Sequence, residues 1–202
     1  VKGMAARNAS GEPEPIDQAI ARQRRNQRAI SGRLHAMPKP TIAAIPGAAA
    51  GAGLSIALAC DLRVMAETAF LTTAFARVGF SGDYGGTYFL TRLVGAAKAR
   101  ELYFLSDRVD AAEALRLGLA NRVVPADALL AEAQALAARL ANGPRVALAY
   151  MKENLNRAFS GGDMDDCLDL EATHHVHCGL TEDHKDAARA FVEKRPPVFR
   201  GR

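Results

Sequence analysis

The sequence predicts an α/β fold, in which a core of alternating strands and helices precedes a section made only of helices. Two observations lead to this prediction. Up to Pro125, short apolar runs of strand length alternate with helical segments. After Pro125, the segments between glycine and proline breaks all have helical length. The 202 residues, 49% of them hydrophobic and 24% charged, can build a sizeable core, which argues against a disordered or disulfide-scaffold protein.

Apolar runs and turn residues locate the elements of the first part. A glycine- and proline-containing loop is predicted over residues 1–15, followed by a helix over 16–34 with a sparse apolar stripe. Apolar runs predict strands at 41–45, 62–66 and 121–124. Helices are predicted at 54–59, at 87–94 and beyond Gly95. Asp110 and Glu113 form a capping-box pattern, and Gly118 is typical of a helix end.

The last third of the chain is predicted to be helical throughout. Four helices are expected between the breaks, at residues 126–141, 145–159, 163–180 and 182–194. The predicted boundary lies near Pro125, where strands give way to helices. It divides the chain into a core of residues 1–125 and a helical region of residues 126–202.

The net charge of +4 and the pI near 9.2 mildly favour anionic ligands without specifying nucleic acid. The basic side chains of the first helix are Arg22, Arg24, Arg25, Arg28 and Arg33. They form either an anion or nucleic-acid patch or a solvated helix face. Because no aromatic stacking residues are interleaved, the solvated face is favoured and no nucleic-acid partner is predicted.

Residues 40–60 carry no charge, and their length alone would permit a membrane span. The segment is mostly alanine and glycine and is interrupted by proline, so no membrane partner is predicted. Three scattered cysteines cannot all pair within the chain, which indicates a reducing compartment and a cytoplasmic location. These cysteines are Cys60, Cys167 and Cys178.

A glycine-rich turn over residues 47–53 links a predicted strand to a helix. Its backbone amides could hold a phosphate or a developing oxyanion, and close packing of a helix on a sheet needs similar residues. Both interpretations stay open from spacing alone, and the absence of G-x-G-x-x-G disfavours dinucleotide binding. Ser55 loosely imitates a nucleophile elbow. The final glycine is missing and no histidine is linked to it by sequence, so a nucleophilic role is disfavoured.

Asp83 lies in a glycine-flanked loop surrounded by aromatic residues, before a predicted helix. Asp83 either caps that helix or, in an apolar pocket that raises its pKa, abstracts protons. A second polar cluster, around His174, His177 and Cys178, could share a helix face. It lacks a zinc-type spacing, so a structural or interface role is favoured and no metal is predicted.

Residues 39–63 closely resemble the crotonase family of acyl-CoA enzymes, also called the enoyl-CoA hydratase/isomerase family. The resemblance continues through residues 85–95, 112–125 and 191–195, and so covers almost the whole chain. It implies a crotonase-like spiral of β-β-α turns with a helical C-terminal section. It also implies that residues 126–202 serve in homotrimers or dimers of trimers. Compared with the family, the chain is expected to lack the first strands and the first oxyanion loop, which would end just before residues 1–4.

The resemblance also implies the roles of particular residues. Ala52 matches the glycine-turn position whose amide stabilises the thioester enolate in the family. The two glutamates of hydratases correspond to Ser55 and Phe75, neither of which is a carboxylate base. Some family isomerases, and the aromatic-acyl dehalogenases, place an acid at the position of Asp83. The acyl pocket would include Phe80 and Tyr84, and Phe191 and Lys194 would contact coenzyme A.

These residues predict an acyl-CoA enzyme that moves a proton and a double bond through an enolate, with Asp83 as the base. Coenzyme A enters as part of the substrate, and no separate cofactor is expected. Two alternatives are an enoyl-CoA hydratase with an atypical site and a non-catalytic acyl-CoA-binding subunit. An Asp83-dependent reaction would distinguish an enzyme from the binding subunit.

Overall fold

The structure, a computed structural model, describes residues 14–202; most of the loop predicted over residues 1–15, including the expected junction at residues 1–4, lies outside them. The first helix, α1 (Ile16–Gln27), continues through a π-helical turn (Arg28–Gly32) into α2 (Arg33–Ala36). The predicted helix therefore extends two residues further than expected. Its arginines are exposed, as expected for a solvated face, and Arg22 pairs with Glu14 at 2.7 Å.

Residues 14–202 contain six strands, which form two small sheets. The first has the order β1 (Ile42–Ile45), β3 (Leu62–Ala66), β6 (Arg122–Val124), and all its neighbours are parallel. The second has the order β2 (Ala48–Ala50), β4 (Phe70–Thr72), β5 (Val109–Asp110), with β2 and β4 parallel and β4 and β5 antiparallel. The sequence predicts the first sheet, whereas it misses the second because its strands are only two or three residues long.

The core forms around the central strand of the first sheet. Val64, Met65 and Ala66 of β3 are 0% exposed, because β1 and β6 flank the strand and helices cover it. Continuous burial explains why β3 is apolar at successive positions and not at alternate ones. Arg63 is the exception in this strand. Its buried guanidinium is hydrogen-bonded to backbone oxygens, with Nε donating to Leu119 O at 2.7 Å and Nη1 to Cys60 O at 2.7 Å.

Three helices connect the strands of the core: α3 (Ala52–Leu58), α4 (Gly86–Leu105) and α5 (Ala111–Arg116). Two helical segments of α4 meet at Gly95, whose φ of 77° and ψ of 163° are not helical, so the predicted break between two helices at this glycine is confirmed as a kink. Half of the predicted capping box before α5 is confirmed, since Asp110 Oδ1 accepts from Glu113 N at 2.9 Å. The Glu113 carboxylate does not return to the cap because it pairs with Arg116 at 2.6 Å.

Four helices make up the last third: α6 (Leu129–Ala141), α7 (Arg145–Phe159), α8 (Met164–Leu180) and α9 (Glu182–Val192). The first of them begins three residues later than predicted, because residues 126–128 form a turn. The α6 helix packs on β1 and β3, whereas α7 packs on α8 and α8 on α9. The division at Pro125 stays a prediction. Among residues 14–202, no helix combines the length and hydrophobicity that a membrane crossing needs.

A buried lysine joins the helical section to the core. Lys152 of α7 is 6% exposed, and its Nζ donates to Leu34 O at 2.8 Å, Lys39 O at 3.2 Å and Asp61 Oδ2 at 2.7 Å. The same carboxylate oxygen accepts from the Thr41 backbone N at 2.6 Å and from its hydroxyl at 2.8 Å. The ammonium group therefore satisfies three acceptors that water cannot easily reach.

Candidate active site

The glycine-rich turn places one backbone amide at the end of β2. Gly51 follows that strand with a φ of 54° and a ψ of −122°, a conformation that L side chains rarely adopt. Its amide donates to Thr72 O at 3.1 Å, which anchors the turn to β4. Ala52 is then the first residue of α3, and within residues 14–202 no side chain caps this helix. The turn can thus offer the Ala52 N–H to an oxyanion.

Ser55 lies inside α3 and not on the turn that precedes it. Its hydroxyl is buried and donates to Gly51 O at 3.2 Å. The ring of His35 packs edge-on against Phe89, and His174 Nδ1 lies 2.6 Å from Asn154 Oδ1, so neither histidine serves Ser55 as a base. The nucleophile-elbow interpretation is therefore wrong.

Asp83 belongs to a loop that we name the acid loop, residues 80–85. The loop is held from α1, since the Tyr84 amide donates to Gln27 Oε1 at 2.7 Å. Tyr84 has a φ of 49° and Gly85 a φ of 77°, and this left-handed pair turns the chain into α4. Gly85 occupies the N-cap position and no side chain caps α4. The interpretation of Asp83 as an N-cap is therefore wrong, because only its carbonyl contacts the helix, accepting from Gly86 N at 3.0 Å.

One carboxylate oxygen of Asp83 is left without a partner among the residues that the structure describes. Its Oδ1 atom is buried and has no hydrogen bond within residues 14–202. Burial raises the pKa of this carboxyl above its ordinary value. A partly buried carboxylate whose pKa is raised is a stronger base than an exposed aspartate, so the geometry supports proton abstraction.

Tyr103 of α4 completes the site, and the sequence analysis missed it. Its ring stacks on Phe75, with 5.9 Å between ring centroids and 13° between planes, and its hydroxyl, like that of Ser55, lies against Gly86. Burial and the charge of Asp83 raise the pKa of Tyr103 to about 12, against the lowering effect of Ser55, so the phenol keeps its proton at neutral pH. No local spacing links a residue near the end of α4 to a loop twenty positions earlier.

Gly86, the first residue of α4, allows the acid loop and α3 to approach closely. A Cβ atom at this position would overlap both the Ser55 hydroxyl and the Tyr103 hydroxyl. Glycine is therefore required by the contact and not by its backbone angles.

Replacing Gly86 with alanine is expected to push the acid loop away from α3. The overlap should destabilise the fold by about 1–3 kcal/mol, as overpacking does, and lower any Asp83-dependent activity at least tenfold. Urea unfolding and rate measurements check this expectation. Gly179→Ala is the control, because α8 leaves open space at Gly179 and alanine favours helices. Equal behaviour of the two variants would contradict the close approach.

The remaining predicted pocket residues differ in their placement. Phe75 is buried and its ring also lies next to Gly51, so it forms a wall between the turn and Tyr103. Phe80 is 55% exposed at the start of the acid loop, and Tyr84 is half-buried. The structure thus brings Ser55, Phe75 and Asp83 together around Tyr103, with Phe80 and Tyr84 at the margin.

The two predicted coenzyme A contacts lie at the end of α9. Phe191 is 87% exposed, and Lys194 has a φ of 51° just beyond the helix. No backbone hydrogen bond within residues 14–202 joins them to the acid loop. A groove of about 960 Å³ is lined by residues of the β1 approach, α6 and α7, among them Pro40, Ile42, Leu140 and Tyr150, and it contains no predicted site residue.

The histidine and cysteine cluster does not assemble as a metal site in the part of the chain that is described. Within residues 14–202, no three His, Cys, Asp or Glu side chains come close enough to hold an ion. His174 is instead buried between α7 and α8, where it stacks on Tyr150 with 4.1 Å between ring centroids. Its position is that of a packing residue.

Comparison with known proteins gives consistent matches. The family model described as enoyl-CoA hydratase/isomerase matches residues 7–202. Short-chain-enoyl-CoA hydratase of Clostridium acetobutylicum is 39% identical over 163 residues, which cover 81% of this chain and 62% of that protein. 1,2-Epoxyphenylacetyl-CoA isomerase of Escherichia coli is 37% identical over 170 residues, covering 84% of this chain and 64% of that protein.

The fold of the chain also matches solved structures. The crystal structure of an enoyl-CoA hydratase from Polaromonas sp. JS666 superposes with a TM-score of 0.89 at 34% identity. The match covers 98% of this chain and 75% of that one. The chain spans between 62% and 65% of the length of the curated relatives it matches.

Proposed function

The chain belongs to the enoyl-CoA hydratase/isomerase family and has its α/β crotonase fold, and from this premise we propose that it isomerises acyl-CoA thioesters by proton transfer. Asp83 is the base and the Ala52 amide holds the enolate oxygen. Coenzyme A is part of the substrate, and no further cofactor takes part. The observation that carries the proposal is the buried, unpaired Oδ1 of Asp83.

The reaction is a transfer of one proton within a 3-enoyl-CoA substrate. The Asp83 carboxylate removes a proton from the carbon next to the thioester carbonyl, and the electron pair of that C–H bond passes into a dienolate. The Ala52 N–H donates to the negative oxygen. The protonated Asp83 then returns its proton to the far carbon, the carbonyl reforms, and the double bond lies in conjugation with it. At the end of the reaction Asp83 is again an ionised carboxylate.

The surroundings of Asp83 support an isomerase more than a two-glutamate hydratase. The positions that match the hydratase glutamates are Ser55, whose hydroxyl is bonded to Gly51, and Phe75, whose ring has no group to bind water. We therefore do not propose that two carboxylates activate a water molecule in this protein. A single, partly buried carboxylate can remove a proton from one carbon and, after its own proton has exchanged with solvent, deliver one to the far carbon.

A hydratase with an atypical site is the second candidate. It is favoured by the relative from Clostridium acetobutylicum, which is named a short-chain-enoyl-CoA hydratase. In that case Asp83 alone would activate the water that adds to the double bond. The two candidates share the thioester and the enolate, and they differ in whether water enters the product.

A homotrimer, or a dimer of trimers, is proposed as the assembly. Leu180, Phe191 and Val192 are 68%, 87% and 79% exposed, which is unusual for such large apolar side chains. A partner subunit that covers them, or a bound coenzyme A at Phe191 and Lys194, would remove this surface from water. Sedimentation measures the oligomeric state with and without a CoA thioester. A trimer without the thioester indicates that a partner subunit covers these side chains.

Incubation with 2-enoyl- and 3-enoyl-CoA thioesters in deuterated water tests the proposed reaction. Mass spectrometry and NMR should show double-bond migration with deuterium at the carbon next to the carbonyl and at the far carbon, and no added water. Addition of water to the double bond would contradict the isomerase and support the hydratase candidate. Binding of the thioesters without exchange or migration would overturn both enzyme candidates and favour a non-catalytic acyl-CoA-binding subunit.

A further inference from the structure

One side chain of α1 holds the backbone of the acid loop directly after Asp83. The Tyr84 N–H donates to Gln27 Oε1 at 2.7 Å, and within residues 14–202 it is the only amide of residues 81–85 that donates a hydrogen bond. Gln27 is the last residue of α1. The segment that carries the candidate base is therefore tied to a helix far from it in the sequence.

The peptide group that Gln27 holds is the one that joins Asp83 to Tyr84. A peptide group is planar, so its N–H and its C=O move together. The N–H donates to Gln27, and the Asp83 carbonyl accepts from Gly86 N at 3.0 Å. The plane is thus held at both ends, by α1 and by the start of α4. Because the Asp83 Cα atom lies in the same plane, the two bonds also restrict the carbon that carries the carboxylate side chain.

The neighbouring glycines of the loop rest on aromatic rings of α4. A Cβ atom built on Gly82 would lie 3.2 Å from Tyr103 Cε1, and one on Gly85 would lie 3.1 Å from Phe89 Cε2. These rings stop the loop from moving into α4, but van der Waals contacts have no preferred direction and do not resist rotation of a peptide plane. The hydrogen bonds at the Asp83–Tyr84 peptide supply that resistance.

Gln27 is itself held in position by the helical residues that follow it. The π-helical turn begins at the next residue and leads without a break into α2. The α2 carbonyls of Leu34 and His35 accept from Lys152 Nζ and Asn156 Nδ2 of α7, both at 2.8 Å. The α1 helix contains no buried residue, so the position of Gln27 is fixed from the α2 side.

We propose that Gln27 is a positioning residue for the base, because its side-chain oxygen holds the Asp83–Tyr84 peptide and so directs the Asp83 carboxylate towards the substrate. The inference rests on the proposed function, since it assigns Gln27 a role in that proton transfer. Gln27 acts through the backbone of the acid loop. Its side chain is a neutral amide and takes no proton.

Gln27→Met tests this role because methionine keeps the length of the side chain and the helix propensity but has no oxygen to accept from the Tyr84 amide. We expect kcat for deuterium exchange to fall by about 10- to 100-fold, since a small misplacement of a reacting group costs up to about 10²-fold in rate. Kd for a saturated acyl-CoA should change by less than about twofold, because binding does not need an aligned base. Gln18→Met, at an exposed position of the same helix, is the matched control and should keep the wild-type kcat and Kd.

Gln27→Glu separates positioning from a general effect on folding. A carboxylate oxygen can accept from the Tyr84 amide, so the rate at high pH should be at least about tenfold above that of Gln27→Met. The added negative charge raises the pKa of Asp83, and the base acts in its ionised form. The rate should therefore begin to fall at a higher pH in Gln27→Glu than in the wild type. Gln27→Met adds no charge and should lower the rate without moving this pH.

Nitrogen-15 NMR of the protein labelled on tyrosine adds a readout that does not depend on turnover. The chain has four tyrosines, and Tyr84→Phe assigns the Tyr84 amide signal. Gln27→Met should shift this signal and speed exchange of the amide with solvent, because the amide loses its acceptor. Gln27→Glu should keep the amide protected.

Three results would overturn the inference: a Tyr84 signal that does not move in Gln27→Met, a Gln27→Met variant with the full rate of an active wild type, or a Gln27→Glu variant as slow as Gln27→Met. A wild type without any Asp83-dependent exchange instead overturns the proposed function, and the role of Gln27 in that reaction falls with it.

Discussion

Asp83→Asn is expected to lower the rate of deuterium exchange and double-bond migration by about 10²- to 10⁴-fold, the range that general acid–base catalysis contributes. Asparagine keeps the size of the side chain and removes the basic oxygen. Binding of the CoA thioester should change little, because no predicted coenzyme A contact lies on the acid loop. Rates and a separate measurement of Kd check the two parts of this expectation.

The pH dependence of the wild type follows from the same carboxyl. Burial raises the pKa of Asp83, and the base acts in its ionised form. Activity should therefore decrease as the pH falls through this raised pKa, at a higher pH than for an exposed aspartate. The decrease in rate at low pH is assigned to Asp83 only if it is absent from the pH–rate profile of the residual activity of Asp83→Asn.

Loss of activity in Asp83→Asn should not come from unfolding. A carboxyl whose pKa is raised in the folded state contributes stability while it is protonated, and this contribution is lost as the pH rises through that pKa. At neutral pH the ionised, buried group opposes folding, so asparagine should leave Tm unchanged or raise it. Asp127→Asn, in an exposed turn, is the control that should change neither Tm nor rate. Full activity of Asp83→Asn would refute the role of Asp83 as the base.

Lys152→Met is expected to lower the free energy of unfolding by about 3–5 kcal/mol, the usual effect of removing one partner of a buried ion pair. Methionine fills a similar volume but leaves Asp61 as an uncompensated charge and the Leu34 carbonyl without its donor. Urea unfolding at pH 7 gives the value. The m-value should stay constant if the native state remains compact.

Two further variants identify the cause of that loss. Lys98→Met removes an exposed ion pair with Glu101 and should cost less than about 1 kcal/mol. Adding Asp61→Asn to Lys152→Met should recover part of the stability, because the stranded charge is gone. A small effect of Lys152→Met, equal to that of Lys98→Met, would show that the buried network contributes nothing beyond packing.

The sequence predicts elements best where burial is continuous. The strand predicted over residues 62–66 has the bounds of β3, whose side chains, apart from Arg63, are apolar because the strand is covered on both sides. The second sheet escapes prediction for the opposite reason. Ala48–Ala50 lie within the glycine-rich segment, and three residues are too few for a periodic pattern to emerge.

The residues of the candidate site also differ in how well the sequence predicts them. Asp83 stands out in the sequence because a carboxylate between glycines and aromatic residues is unusual, and its pKa shift follows from burial. Tyr103 gives no such signal, since a tyrosine near the end of a predicted helix is typical of packing. Its place in the site arises because its hydroxyl and that of Ser55, which lies on α3, both approach Gly86 at the start of α4. Long-range contacts of this kind are not encoded in local spacing.

The hydrogen bond from the Tyr84 amide to Gln27 has a consequence for engineering. Tyr84 adopts a left-handed conformation that a non-glycine residue adopts at an energetic cost, and the amide of Gln27 helps to keep it there. An acid loop grafted onto another scaffold would arrive without this support from α1. A successful transplant would have to carry the glutamine with it, although fifty-seven positions separate the two residues in the chain.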